Sequence, residues 1–416
     1  MSCGSRYHAV GRPLGEARPQ TAEDDVFDAL GRASGVQRVI RAGSLADERH
    51  AVGVGHRVEE LGRAERVEHA LPEQRVAEQQ RVVSDFEPGP VETAMEDGAE
   101  WVTTVVDDAF PGRTVDSVSP SGPSWNDGNR SACVTFTDGD VAFAKIATDG
   151  TDARIATELA AIEYADRHCE VTVPTVLASG TAGSTPYLVT APMEGANFHR
   201  PWAEWSTAER AAEIERVGAA LASIHAREFD RHGQIVDGSG GDLAVETASW
   251  TETLVAEIER ERRLASTDRY DHYVDIVIEA VRANSAVLDR APATFVHGDP
   301  AMPNLFRTDD AVGFIDWETA HVGDPARECH RVEDRLRDCG DDAVSDRLVS
   351  AFREGYRRRA GSLPAGRTER EPVYEAVRLL GTAGFFDKHV EYSDESPTEA
   401  AERLEREMDA CLDAIR

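Results

Sequence analysis

The apolar residues of this chain change their spacing once, and that change limits the folds open to it. Residues 132–137 (Ala-Cys-Val-Thr-Phe-Thr) alternate like a strand, Asp138-Gly139 is a hairpin turn signal, and residues 141–146 (Val-Ala-Phe-Ala-Lys-Ile) read as the returning strand. A helix is expected over 152–168, with Ile155, Leu159, Ile162 and Ala165 on one face, and two further strands at 175–178 and 187–190. A short helix at 99–110 precedes them and stops at Pro111-Gly112. Beyond Pro192-Met-Glu-Gly195 the spacing turns helical, over 207–226, 243–264, 269–288 and four more segments after 326. The pattern predicts an α+β chain with a small β-rich lobe over 95–192, a larger helical lobe over 193–416 and a hinge near 191–196.

Residues 1–94 break the pattern. They are rich in Arg, Val, Glu and His, and they keep no sustained period apart from a short helical stretch at 23–33 and a weaker one at 57–69. They read either as a poorly ordered extension or as a stretch upstream of a real start at Met95. Across all 416 residues, 77 Asp+Glu stand against 45 Lys+Arg, a formal charge of −32. No concentrated basic face is visible, which argues against nucleic acid as the main partner. Apolar stretches such as 219–224 fall far short of the ~20 residues that span a bilayer. The first residues lack the apolar core of a secretory signal, so a cytoplasmic protein without a membrane partner is expected. Six scattered cysteines form no Cys-x-x-Cys pair, and neither a zinc ribbon nor a disulfide framework is indicated. Lys145 and Lys388 are the only lysines. A large acidic excess with almost no lysine is the surface expected of a halophilic protein, because concentrated salt mutes carboxylate repulsion.

The densest cluster of unusual residues is His297-Gly-Asp-Pro-Ala-Met-Pro-Asn304, followed by Gly313-Phe-Ile-Asp-Trp-Glu318. Apolar stretches at 305–306 and 312–315 flank Thr308-Asp309-Asp310, which reads as a hairpin tip. A hairpin turning at 310 brings Asn304 and Asp316 together at its open end, where cross-strand neighbours sit ~5 Å apart. Two hard oxygens at that spacing suit magnesium, which takes one or two protein ligands and fills its octahedron with waters and phosphates. Asp299, on the loop entering the hairpin, is placed to accept a hydroxyl proton beside a metal-bound phosphate. A lone Asp or Asn in such a loop is ordinarily a turn former. The joint pattern makes the chemical reading the stronger one. His297 is read as structural, and His321 and His330 lack metal-ligand spacing.

Phosphoryl transfer also needs a cation to place the nucleotide phosphates. Lys145 follows Val141-Ala-Phe-Ala in an otherwise apolar strand, where a lysine is costly unless paired. The helix at 152–168 offers Glu158 as partner, with Glu163 as the rival. The turn-rich loop 122–128 could bring backbone amides to phosphates, though it matches neither a Walker A loop nor Gly-x-Gly-x-x-Gly.

Together these residues resemble the aminoglycoside phosphotransferase and choline kinase group, which has the two-lobed protein-kinase-like fold. The matching elements are His297-Gly-Asp-Pro-Ala-Met-Pro-Asn304, Gly313-Phe-Ile-Asp-Trp-Glu318, Gly323-Asp-Pro325 and, more weakly, Ile224-His225-Ala226. The resemblance implies a kinase that passes the γ-phosphoryl of ATP, or less readily GTP, to a hydroxyl of a small molecule. Asp299 would be its catalytic base, Asn304 and Asp316 its magnesium ligands, Lys145 the α/β-phosphate contact and Glu158 its partner. Backbone groups of Ala191 and Met193 would meet the nucleotide base. The phosphate loop departs from the group's pattern in length and in carrying Trp125, with Ser124 and Asn126 as its candidate contacts. Glu328-Cys329 stands near the place where the group often has Asp and an apolar pair. A nucleotide-binding scaffold without transfer activity is the alternative. Arg357-Arg-Arg359 reads as a solvated helix face or, less readily, an anion contact.

Overall fold

Alternation along the second hairpin strand decides which way the sheet faces. The structure is a computed structural model that describes residues 95–121, 128–148, 153–199, 201–309, 311–337, 339–391 and 396–415, all within one compact unit. Strands β1 (Val115–Pro120), β2 (Asn129–Phe136), β3 (Val141–Ala147), β4 (Val176–Ala182) and β5 (Thr185–Thr190) form an antiparallel sheet ordered β1-β2-β3-β5-β4. Helix α1 (Met95–Ala109) covers one face, where its Val102, Val105 and Val106 pack on Ala142, Ala144 and Ile146 of β3. Successive strand residues point to opposite faces, so Lys145 and Ala147 face away from α1. On that side lies helix α2 (Ala153–His168), whose buried Ile155, Ala161 and Ile162 share a core with Ala147.

After β5 the chain crosses through β6 (Ala196–Asn197), which pairs with the hairpin of β10 (Leu305–Arg307) and β11 (Val312–Phe314). Gly195 makes that crossing possible: its φ is +92°, and a Cβ there would stand 2.1 Å from the Arg307 carbonyl oxygen. Helix α3 (Thr207–Ile224) opens on a Ser206/Glu209 capping box and is followed by β7 (His232–Ser239) and β8 (Asp242–Ala248). Then come α4 (Trp250–Leu264), α5 (Asp271–Ala283), α6 (Ser285–Leu288), β9 (Thr294–Val296) and, beyond the hairpin, β12 (His321–Gly323). A second sheet runs β8-β7-β12-β9. Helices α7 (Pro325–Arg337), α8 (Asp342–Ala360), α9 (Arg367–Gly384), α10 (Phe386–Glu391) and α11 (Pro397–Ala414) complete the larger body. Its core divides into two clusters. One gathers α2, α3, α8 and the β10–β11 hairpin around Phe295, Phe314, Trp317 and Phe352, and the other joins α4, α5, α9 and α11 around Trp250.

The helix expected over 243–264 is corrected. Residues 243–248 are strand β8, and α4 starts at Trp250 behind the N-cap Ser249. Half-buried Leu243 and Val245 alternate with exposed Asp242, Ala244 and Glu246, and Gly240-Gly241, both at positive φ, turn β7 back into β8. The helix expected over 269–288 breaks at Asn284, whose side-chain amide donates to the Ala280 carbonyl at 2.9 Å. Five helices, rather than four, follow residue 324 among the described residues. The expected extension over 1–94 and the phosphate-loop residues Ser124 and Asn126 lie outside the described residues.

Candidate active site

Lys145 stands where the sheet meets the β10–β11 hairpin. Its Nζ is 2.7 Å from Glu158 of α2 and 2.7 Å from both Asp316 and Glu318, which follow β11. The geometry makes a hydrogen bond with Asp316, while Glu158 approaches as an ion pair without hydrogen-bond alignment. Glu158, and not its rival Glu163, is therefore the partner. Burial alone would lower the Lys145 pKa, yet the three carboxylates raise it well above the ordinary value. Burial raises Glu158, reinforced by Asp316 and Glu318 and opposed by Lys145. Glu318 also accepts from Asn129 of β2, which ties the sheet to the hairpin a second time.

Asp316 has a φ of +66°, the only non-glycine residue at positive φ among the described residues. Asp tolerates the left-handed region better than most side chains, and the bend turns its carboxylate toward Lys145. The hairpin register pairs Leu305 with Phe314 and Arg307 with Val312. Backbone pairing of Asn304 therefore falls on Ile315, whose N–H donates to the Asn304 carbonyl at 3.0 Å. The expected opposition of Asn304 and Asp316 is off by one residue. Asn304 instead turns its amide to Asp299, donating to the backbone oxygen at 3.0 Å and to Oδ2 at 3.3 Å.

Asp299 sits on a loop built around His297 and Gly298. His297 is fully buried, with Nε2 bonded to the Ile315 carbonyl at 3.0 Å and Nδ1 accepting from the Asp299 N–H at 3.2 Å. Burial depresses the His297 pKa, in keeping with a neutral ring that accepts at Nδ1. From below, Glu328 of α7 accepts the backbone N–H groups of His297 (3.3 Å) and Gly298 (2.5 Å). Glu328 is itself held by His225 at 2.7 Å, and His225 by the Tyr356 hydroxyl at 3.0 Å. So Glu328 is the structural acid of this loop. At the Asp299 carboxylate, Arg335 Nη2 donates to Oδ1 at 2.6 Å and Arg331 Nη2 lies 3.8 Å away. Burial alone would raise the Asp299 pKa, but these guanidinium groups hold it well below the usual carboxylate range.

The residues expected to meet a nucleotide base follow β5 directly. The Ala191 N–H is committed to the Thr175 carbonyl at 2.8 Å, which leaves its own carbonyl for any contact. Met193 is buried and packs its thioether over Gly313 of β11.

Glu158, Asp316 and Glu318 present carboxylate oxygens within 4.8 Å of one another around the Lys145 ammonium. Of the expected magnesium ligands, Asp316 stands in this cluster and Asn304 outside it, and both offer the hard oxygen donors that suit the ion. Sequence reasoning left Glu318, Asn129, Arg331 and Arg335 without a role. The arginines did leave a signal, because Arg327, Arg331 and Arg335 recur every four residues along one face of α7. Arg357-Arg-Arg359 is partly pinned, Arg358 to Glu215 and Arg359 to Glu170. None of the five cysteines among the described residues is in a disulfide, and no helix among those residues is long and apolar enough to cross a membrane.

Several solved structures share this architecture. A putative fructosamine-3-kinase from Haemophilus somnus aligns with a TM-score of 0.51 at 13% identity, covering 76% of this chain and 96% of that one. A thermostable mutant of aminoglycoside phosphotransferase APH(4)-Ia in its apo form aligns at 0.50 and 15%, covering 75% and 98%. The GDP complex of a mutant aminoglycoside 2'-phosphotransferase-IIIa aligns at 0.50 and 12%, covering 76% and 99%. These likenesses show the two-lobed, protein-kinase-like fold. No curated protein matches the chain. The model of the phosphotransferase enzyme family (APH) matches residues 126–371, which is more than half of the sequence and includes Lys145, Glu158, Asp299, Asn304 and Asp316. The chain belongs to the phosphotransferase enzyme family.

Proposed function

We propose that this phosphotransferase is a small-molecule kinase that moves the γ-phosphoryl of ATP, with GTP as the second donor, to an alcohol. The contact of Lys145 with both Glu158 and Asp316 carries the reading, since it gathers a sheet cation, a helix acid and a hairpin acid at one point. We divide the chain after Pro192, with 95–192 as the nucleotide-binding lobe and 193–416 as the catalytic one. The cytoplasm, where ATP is abundant, is the compartment this activity requires.

Asp299 accepts the proton of the acceptor hydroxyl, and Asn304 holds the Asp299 side chain in place through its amide. Lys145 places the donor phosphates, with Glu158 fixing the ammonium against the sheet. Ala191 and Met193 meet the base, and Ser124 and Asn126 the phosphates. Asn304 and Asp316 would hold magnesium, which when bound neutralises charge on the phosphates. Glu328 and His297 keep the Asp299 loop rigid, so the carboxylate loses little entropy on meeting its substrate.

Asp299→Asn tests this directly. With a panel of sugars, amino alcohols and hydroxy acids as acceptors, ATP-dependent turnover should fall about 10²- to 10⁴-fold. Mg-ATP affinity, measured by calorimetry, should stay within a few-fold of wild type. Full retained rate would misplace the base. Tight Mg-ATP binding with no transfer to any alcohol would leave the silent scaffold as the reading.

A further inference from the structure

Two guanidinium groups reach one carboxylate oxygen beside the proposed acceptor position. Arg335 Nη2 donates to Asp299 Oδ1 at 2.6 Å, and Arg331 Nη2 lies 3.8 Å from the same oxygen. Arg331 Nη1 donates to the Gly298 carbonyl at 2.9 Å. Arg335 is only 7% exposed, and its Nη1 is buried without a hydrogen-bond partner. A buried donor on a charged group is costly to leave unmet. Two other enclosed arginines of this body, half-buried Arg327 and buried Arg370, fill their forks. Arg327 is bidentate on Glu257 at 2.7 and 2.7 Å, and Arg370 bonds both oxygens of Asp324 and the Ala365 carbonyl. Arg335 thus holds back half of a rigid, bidentate oxyanion binder.

Solvent reaches this corner through Asp299, with 18% of its side chain exposed, and Arg331, with 29%. An oxygen bound at Arg335 Nη1 would lie within roughly 5 Å of the Asp299 carboxylate, close enough to belong to the molecule being phosphorylated. In a chain of formal charge −32, a cleft that spends two arginines here does not suit a polycation.

We propose that the acceptor is an alcohol that also carries an anionic group, a carboxylate or a phosphate, bound by Arg335 and Arg331. The inference rests on the kinase reading and names its substrate class. In the transfer, the acceptor oxygen bonds to the γ-phosphorus as the bond to the β–γ bridging oxygen breaks. ADP leaves with that electron pair, and the hydroxyl proton passes to the Asp299 carboxylate. The anionic group makes and breaks no bond.

A size-matched three-carbon set tests it on the full chain with Mg-ATP: glycerate, glycerol 3-phosphate, glyceramide and 3-amino-1,2-propanediol. At least one anion should exceed the amide and the amine about tenfold or more in kcat/KM, and which anion leads separates carboxylate from phosphate. Arg335→Gln should shrink that preference about tenfold, mainly through KM for the anion, and Arg335→Lys should restore part of it. Calorimetry of both anions against the Mg-ADP-loaded protein supplies a readout independent of turnover, with weakened binding expected in Arg335→Gln. Better turnover of the amine or amide, an unchanged preference in Arg335→Gln, or no binding of either anion to wild type would overturn the proposal. Failure of the kinase reading looks different: Mg-ATP would neither bind nor be consumed with any acceptor.

Discussion

At Lys145 one ammonium meets three carboxylates, and removing it leaves Glu158 and Asp316 without that cation and Glu318 with only Asn129 and the more distant Arg154. Lys145→Met should lower kcat/KM for ATP about 10²-fold if Lys145 makes the proposed phosphate contact. It should also cost roughly 3–5 kcal/mol of stability, because Glu158 remains buried beside Asp316 and Glu318 without the ammonium that pairs it. Denaturant melts and steady-state kinetics check the two effects separately, and an unchanged midpoint would mean the carboxylates find other partners. Lys145 itself was legible from sequence because a strand of small apolar residues has no other use for a lysine. Glu318 was not legible. Nothing in Asp-Trp-Glu says that the third residue bends back to the sheet, a direction set by the φ of +66° at Asp316.

Among the elements, the β7–β8 hairpin and helix α7 carry the most consequence for the site. Thr157 of α2 donates to the Ile235 carbonyl of β7 at 2.8 Å, one residue from Glu158. A Cβ on Gly238 would stand 2.7 Å from Ala160 Cβ on the same helix. Gly238→Val should therefore displace α2 and raise KM for ATP several-fold while the fold persists by circular dichroism. The hairpin was misread because a window across residues 243–264 averages a short alternating strand into the long helical pattern that follows. In α7, fully buried Glu333 takes Arg367 of α9 at 2.7 and 2.8 Å and Arg353 of α8 at 3.0 Å. Burial alone would raise its pKa, but the arginines lower it to about 2 from an ordinary 4.5. A carboxylate depressed in the folded state contributes stability above its unfolded pKa and loses it as pH falls. Glu333→Gln should then cost about 3 kcal/mol at neutral pH. Its deficit against wild type should close between about pH 4.5 and 2 in urea melts, and a deficit constant with pH would show that packing, not charge, holds the three helices.

Over the whole molecule the formal charge of −32 opposes compaction. If concentrated salt is the native setting, the melting temperature should rise by several degrees between low and molar KCl, as the screening length falls to about 3 Å. A flat or falling curve would leave the lysine-poor composition without that rationale. At this scale the sequence alone determined the α+β class and singled out Lys145, Glu158, Asp299, Asn304 and Asp316 as candidates. Those follow from local apolar period and from residue types that are costly in any other place. Tertiary structure decided which of them meet. Asn304 turns to Asp299 and Asp316 to Lys145, because the hairpin register is offset by one residue and its exit strand enters the left-handed region. Arg335 reaches Asp299 across 36 positions, and Lys145 reaches Asp316 across 171. Contacts at such separation are selected by the packing of whole elements, which no local window of residues contains.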